Sequence, residues 1–112
     1  MTLSIAGRCP ETGMLGGAVT SSSICVASRC LFTRAGVGTA LTQNVTDPSL
    51  GEKMLNLLES GVDVKTAVSK VVSKENHIQW RQLVLMDSTG NSALHTGAVS
   101  YTHLTLPTIC SV

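Results

Sequence analysis

Two consecutive amphipathic helices constrain the fold of this chain most strongly. The first is predicted to begin at Asp47, an N-cap residue followed by proline, and to end at Gly61. Its apolar side recurs at helical spacing and consists of Leu50, Met54, Leu57 and Leu58. The second begins at Asp63, and its apolar side consists of Val64, Ala67, Val68, Val71 and Val72. Two helices that are each apolar on one side are expected to pack that side against a sheet.

Hairpins on either side of the helices supply that sheet. The apolar run that starts at Thr2 reaches the turn Pro10–Gly13 and returns along the segment 14–19. After the helices, the segment 81–86 turns through Asp87–Asn91 and returns along 92–96. We therefore predict an α+β fold.

One further strand is predicted between the first hairpin and the helices. The segment Arg34–Gln43 has the composition of a strand, centred on residues 37–42, and its glycines suggest close backbone packing or a close ligand. The sequence leaves the state of Ile24–Ser28 open.

Composition excludes several classes of protein. The chain is 43% hydrophobic and 13% charged with a net charge of +1, and no 18-residue apolar run suggests a membrane span. Because 8 Lys+Arg are balanced by 7 Asp+Glu, we expect no nucleic-acid partner and no membrane partner. The cysteines form no CxxC pair, so we expect no metal and no cofactor. The start of the chain lacks the pattern of a secretory signal, which favours a cytoplasmic location.

Thr2 is the strongest candidate for a chemically reactive residue. Removal of Met1, which a small second residue favours, would leave a threonine whose hydroxyl and α-amine form a nucleophile and base in one residue. The alternative is that Thr2 simply begins a strand, where β-branched residues are common.

Four stretches in order resemble the DUF1028 proteins, a family of the N-terminal-nucleophile (Ntn) hydrolase superfamily. They are TLSIAGRCPETGMLGGAV, RAGVGTALTQN, DPSLGEKMLNLLESG and RQLVLMDSTGNSALHTGA. The resemblance implies an αββα sandwich of Ntn-hydrolase type with a nucleophile at the start of the first strand, and amides as substrates. It covers residues 1–98, and because family members are longer, we expect an incomplete domain.

The segment 99–112 departs from the family. VSYTHLTLPT resembles the translation of a sequencing adapter, so we interpret this tail as an artefact. The alternative is a genuine last strand, since its residues have good β-propensity.

Candidate site residues follow from the resemblance and from the strand pattern. Thr2 is the expected nucleophile, and Ser4 shares its strand face and is expected to bond to its amine. Arg34 is expected beside the nucleophile as an electrostatic stabiliser, the alternative being a surface arginine or a partner of Asp87. The expected substrate-binding residues, each with a structural alternative, are Gly36, Gly38, Gln43 and His95.

Two functions from different classes remain open at this point. The first is an N-terminal threonine amidohydrolase acting on a small or peptide-like amide. The second is an Ntn-fold module without activity that binds a ligand or assembles with other proteins. A thiol enzyme using Cys25 is a third and weaker alternative. Exposed sheet edges make a homo-oligomer a plausible expectation.

Overall fold

The computed structural model of the chain describes residues 2–22, 24–44 and 47–97. Its elements in order are β1 (Thr2–Arg8), β2 (Leu15–Ser21), α1 (Ala27–Cys30), β3 (Leu31–Arg34), β4 (Gly38–Asn44), α2 (Ser49–Glu59), α3 (Val64–Lys74), a 3₁₀ turn (Ile78–Trp80), β5 (Arg81–Asp87) and β6 (Ser92–Thr96). The fold is α+β, as predicted, and both hairpins and both long helices are confirmed.

The strands form two antiparallel sheets. The larger sheet has the order β3-β4-β5-β6, and the smaller consists of β1 and β2 alone. Helices α2 and α3 pack on one face of the larger sheet, which we call the helix-covered face. Its apolar cluster joins both helices to strands β4 and β5 through Leu50, Met54, Leu55, Val68, Leu83 and Leu85.

The opposite face of the larger sheet packs against the β1–β2 hairpin, and we call it the hairpin-covered face. Its apolar cluster is much smaller and consists of Ala6, Leu41 and Met86, with Leu15, Leu31 and Val84 partly buried around it. Ala6 is fully buried, so the hairpin lies close to the sheet at this point. The described residues thus form three layers: helices, the larger sheet and the hairpin.

Asp63 caps α3, as the sequence predicts, whereas the N-cap of α2 is Pro48, one residue after the predicted Asp47. Asp63 accepts a hydrogen bond from the backbone N–H of Thr66 at 2.8 Å, which satisfies a donor of the first turn. Hydrogen bonding from the side chain and the backbone of Thr66 lowers the pKa of the Asp63 carboxyl. Asp47 accepts bonds from the backbone N–H and the hydroxyl of Ser49 at 3.0 and 2.7 Å. After α2, Gly61 has a φ of +101°, a conformation that glycine adopts without strain.

The third strand predicted from Arg34 to Gln43 is confirmed at its centre as β4, but its start is wrong. The segment contains the end of one strand, a tight turn and most of another. Arg34 is the last residue of β3, and the N–H of Val37 donates to its carbonyl at 3.0 Å to close the turn. Gly36 lies in this turn with a φ of +73°, which is in the left-handed region that glycine adopts without strain. Strand β4 then begins at Gly38.

Candidate functional site

The hairpin register determines what faces Thr2. Thr2 lies directly opposite Ser21 at the open end of the β1–β2 hairpin. The Oγ1 atom of Thr2 and the Oγ atom of Ser21 are 2.9 Å apart, a hydrogen-bond distance. Thr2 is half-buried and shares a strand face with Ser4 and Ala6, which face the larger sheet. The hydroxyl of Thr2 is therefore held by a second hydroxyl at the edge of the layer between the sheets.

Two features fix this register. At the closed end of the hairpin, the N–H of Cys9 donates to the carbonyl of Met14 at 2.8 Å, and the N–H of Gly13 donates to the carbonyl of Cys9 at 2.8 Å. In the middle, Gly17 lies opposite the buried Ala6. A Cβ atom at Gly17 would lie 2.7 Å from the backbone carbonyl oxygen of Ile5, which cannot swing away as a side chain can, so close packing explains this glycine. A shift of the strand pairing by one residue would move the side chains of the shifted strand to the opposite face of the hairpin.

A chain of polar side chains lies next to Thr2 on the hairpin-covered face. The hydroxyl of Ser4 donates to Gln43 Oε1 at 2.7 Å, and Gln43 Nε2 donates to Gln82 Oε1 at 2.6 Å. Thr96 lies opposite Gln82 on β6, and its hydroxyl is buried with no hydrogen-bond partner among the described residues. We call Ser4, Gln43, Gln82 and Thr96 the polar row.

The polar row gives Ser4 a different partner from the one expected. Its hydroxyl proton is directed at Gln43, whereas the sequence predicted a bond to the Thr2 amine. Two residues of extended strand separate Thr2 and Ser4 by about 7 Å, which is too far for one hydrogen bond to the amine. Ser4 and Gln43 are thus brought together near Thr2, and the residue in contact with Thr2 is Ser21.

The position expected for Arg34, beside the nucleophile, is wrong. Its guanidinium lies on helix α2, where it contacts Glu52 at 2.7 Å, Asn56 at 2.9 Å and Glu59 at 3.7 Å. Arg34 pairs with Gly38, which lies five residue steps along β4 from Gln43, a distance of about 17 Å. It therefore lies at the opposite end of the sheet from the polar row, and its guanidinium contacts α2.

Three more of the expected binding residues also lie away from Thr2. Gly36 is exposed in the β3–β4 turn, and Gly38 begins β4 at the end far from the polar row. A Cβ at Gly38 would meet the carbonyl of Met86 and the side chain of Leu58, so close packing explains this glycine. His95 pairs with Leu83, whose side chain lies in the helix-covered cluster, so the two share that face. Its Nε2 atom is buried and has no partner among the described residues.

Comparison with known proteins identifies the chain. The model of the family described as "Family of unknown function (DUF1028)" matches residues 2–108. The chain belongs to the DUF1028 family. The family match runs past Ala98 into the tail interpreted as adapter-derived, and that tail lies outside the described residues. The boundary at residue 98 and the artefact interpretation both stay predictions.

A solved structure supports the same family. The crystal structure of a DUF1028 protein from Silicibacter pomeroyi is 33% identical to this chain and superposes with a TM-score of 0.88. The match covers 95% of this chain and 51% of that protein, so this DUF1028 chain spans about half the length of its solved relative. No curated protein matches the chain.

Two residues of this candidate site were missed by sequence reasoning. Ser21 and Gln82 lie in a serine-rich bend and in an apolar strand, where neither stands out by type. A signal for Ser21 was nevertheless present. The turn at Pro10–Gly13 predicts which residues pair across the hairpin, and counting outward from it reaches Ser21 opposite Thr2. Gln82 required the pairing of β4 with β5, which is not local.

Other classes of site are absent from the described part of this DUF1028 chain. Residues 2–22, 24–44 and 47–97 contain no group of three His, Cys, Asp or Glu side chains arranged to hold a metal ion. No helix within the same ranges has both the length and the hydropathy needed to cross a membrane. Cys9, Cys25 and Cys30 form no disulfide bond among the described residues, and Cys25 is exposed.

The outer face of the β1–β2 hairpin is apolar. Leu3 is 48% exposed and Ile5 is 39% exposed on this face, which points away from the larger sheet. A cavity of about 520 Å³ extends from Ile5 towards the turn and is lined also by Met14 and Ala18. This surface and the polar row therefore lie on opposite sides of the same hairpin.

Proposed function

We propose that this DUF1028 chain carries the nucleophile of an amidohydrolase of the Ntn superfamily, with Thr2 as the reacting residue. The observation that carries the proposal is the Thr2 hydroxyl, half-buried, facing the layer between the sheets and 2.9 Å from a second hydroxyl. The proposal requires that processing of the chain expose the α-amine of Thr2.

The reaction then follows from the chemistry of an N-terminal threonine. The neutral α-amine accepts the hydroxyl proton while the Thr2 oxygen attacks the amide carbonyl. The C–N bond breaks, the proton passes from the amine to the leaving nitrogen, and an ester to Thr2 remains. Water cleaves the ester, which returns the hydroxyl and releases the carboxylic acid. The residue acts as both nucleophile and general base, with no need for a histidine.

The substrate class, location and assembly are parts of the same proposal. The substrate is a small or peptide-like amide, the location is the cytoplasm, and the enzyme is a homo-oligomer. Gln43 and Gln82 supply amide groups that suit a peptide-like ligand.

A covalent probe tests the proposal on the untagged 112-residue chain. A peptide-like α′,β′-epoxyketone reacts with an N-terminal threonine twice, without a leaving group. The hydroxyl adds to the ketone carbon, and the amine then opens the epoxide, whose oxygen takes the amine proton. We expect an adduct with the summed mass of chain and probe, mapped to Thr2 by peptide mass spectrometry.

Matched variants make the result specific. Thr2→Ala removes the hydroxyl and should give no adduct, whereas Thr20→Ala removes an exposed hydroxyl near the same end of the hairpin and should react like the wild type. An adduct of equal yield in Thr2→Ala contradicts the proposal. So does a wild-type chain that lacks Met1, has a folded circular dichroism spectrum and forms no adduct.

A module without activity is the second candidate, and the apolar outer face of the hairpin favours it. Leu3, Ile5 and the adjacent 520 Å³ cavity form a surface suited to an apolar ligand or to another protein. This candidate predicts no reaction with the epoxyketone, with or without Met1. Detection of the Thr2 adduct therefore decides between the two.

A further inference from the structure

The residue in contact with the Thr2 hydroxyl has no role in the expectations drawn from the sequence. An N-terminal threonine activates its own hydroxyl only if its proton points to its own amine. The hydroxyl rotates freely and bonds to water unless a neighbour fixes it. In this chain the neighbour is Ser21, whose Oγ atom lies 2.9 Å from Thr2 Oγ1.

We propose that Ser21 is the positioning residue of the nucleophile: its hydroxyl donates a hydrogen bond to Thr2 Oγ1 and so directs the Thr2 proton to the α-amine. This inference rests on the proposed function. The geometry allows either hydroxyl to donate. Only donation by Ser21 leaves the Thr2 proton available to the base, so the reactive state uses that direction.

The architecture of the hairpin keeps Ser21 in this position. Thr2 and Ser21 are direct partners in the antiparallel register. The turn at Cys9–Met14 closes the hairpin, and the buried Ala6 packs it against the larger sheet. Threonine is stiff at χ1, so a bond to its oxygen also selects the side-chain rotamer. The hairpin thus delivers the nucleophile and its orienting donor from opposite strands.

Ser21 takes over part of the role that the sequence assigned to Arg34. The guanidinium of Arg34 is bound to Glu52 on helix α2, so no cation is supplied from that side. A serine donor stabilises the developing charge on Thr2 Oγ1 by a neutral hydrogen bond. Since a neutral donor adds no charge near the amine, it should change how fast the neutral amine reacts and not the pH at which the amine becomes neutral.

The test is the pH profile of the epoxyketone reaction in the untagged chain. For the wild type, we expect the rate to rise with pH to a plateau, with a midpoint at about pH 8, where an α-amine loses its proton. For Ser21→Ala we expect a plateau about three- to tenfold lower, the worth of one net hydrogen bond, with the midpoint unchanged.

Two further variants separate positioning from a general structural effect. Ser21→Thr keeps a hydroxyl at the same Cβ atom and should restore most of the plateau rate. Thr20→Ala, which removes the neighbouring exposed hydroxyl, should match the wild type. Circular dichroism and thermal unfolding of all variants check that the hairpin is intact.

The outcomes distinguish the inference from the proposed function. An equal plateau in Ser21→Ala and wild type overturns the inference and leaves the function standing, because Thr2 still reacts. A shifted midpoint in Ser21→Ala also overturns it, because Ser21 would then act on the amine. A wild-type chain that retains Met1 or forms no Thr2 adduct overturns the function and the inference together.

Discussion

The two faces of the larger sheet differ in how much apolar surface they bury. The helix-covered face joins α2 and α3 to the sheet through a continuous set of fully buried side chains that includes Leu50, Met54 and Leu85. The hairpin-covered face has an apolar cluster of only a few residues and then becomes polar towards Gln43 and Gln82. We infer that the first face supplies most of the stability, and that the second leaves one end polar for chemistry.

The largest expected effect tests the stability of the helix-covered face. Leu85→Ala removes a fully buried side chain from the middle of this cluster, and we expect the free energy of unfolding to fall by about 2–5 kcal/mol. Urea unfolding measures the change. Leu94→Ala, in the adjacent strand but 49% exposed, should cost much less. Equal losses in the two variants would contradict the assignment of stability to this face.

The polar row gives the next effect. Gln43→Ala removes the acceptor of Ser4 and the donor to Gln82, so we expect a loss of about 1–3 kcal/mol in the free energy of unfolding. Gln79→Ala, at an exposed position of the 3₁₀ turn, is the matched control and should cost less than about 0.5 kcal/mol. If Gln43→Ala is as stable as Gln79→Ala, the polar row contributes nothing to the fold.

The β5–β6 turn gives a smaller effect with a defined pH dependence. Asp87 is partly buried, which alone would raise its pKa, but hydrogen bonds from Thr89 and Asn91 outweigh burial and lower it. A carboxyl whose folded pKa is lowered stabilises the protein above its unfolded pKa, and this stability is lost as the pH falls through the folded value. Asp87→Asn should therefore lower the free energy of unfolding at neutral pH by less than Gln43→Ala does.

The difference between Asp87→Asn and the wild type should shrink on acidification. Asparagine does not titrate, whereas the aspartate of the unfolded chain takes up a proton at its ordinary pKa of about 3.9 and that of the folded chain only at lower pH. Urea unfolding at neutral pH and at about pH 3 measures both differences. A difference of the same size at both pH values would show that the charge of Asp87 has no part in stabilising the turn.

The smallest effect concerns the corrected position of Arg34. Its ion pair with Glu52 is at the surface, with the glutamate side chain 55% exposed, so Arg34→Gln should cost less than about 1 kcal/mol. Because the guanidinium lies far from Thr2, the epoxyketone rate should equal that of the wild type at every pH. A fall in that rate would restore the role that the sequence predicted for Arg34.

Local sequence signals predicted the parts of the fold that depend on neighbours along the chain. The turn Pro10–Gly13 and the cap at Asp63 each act within a few residues, and both are confirmed. The sequence prediction missed the break between β3 and β4 because β3 has only four residues and is followed by a tight turn at Gly36. A strand that short carries too little alternation to be separated from the next.

The candidate site was predictable in part for the same reason. Thr2 follows from its place in the sequence, and Ser4 and Gln43 were chosen as polar residues on or near strands. Their contact with each other, and that of Gln43 with Gln82, depend on how the hairpin packs on the larger sheet. Arg34 and His95 were placed by analogy or by type, and the register assigns both to the helix-covered face.

The central claim is that Thr2 acts through its own amine, and processing of the chain tests it most directly. The measurement is the intact mass and the N-terminal sequence of the untagged 112-residue protein after expression. The account predicts that Met1 is absent and that Thr2 is the first residue, with a free amine. A protein that retains Met1, or whose Thr2 amine is blocked, would contradict the claim because the base would be missing.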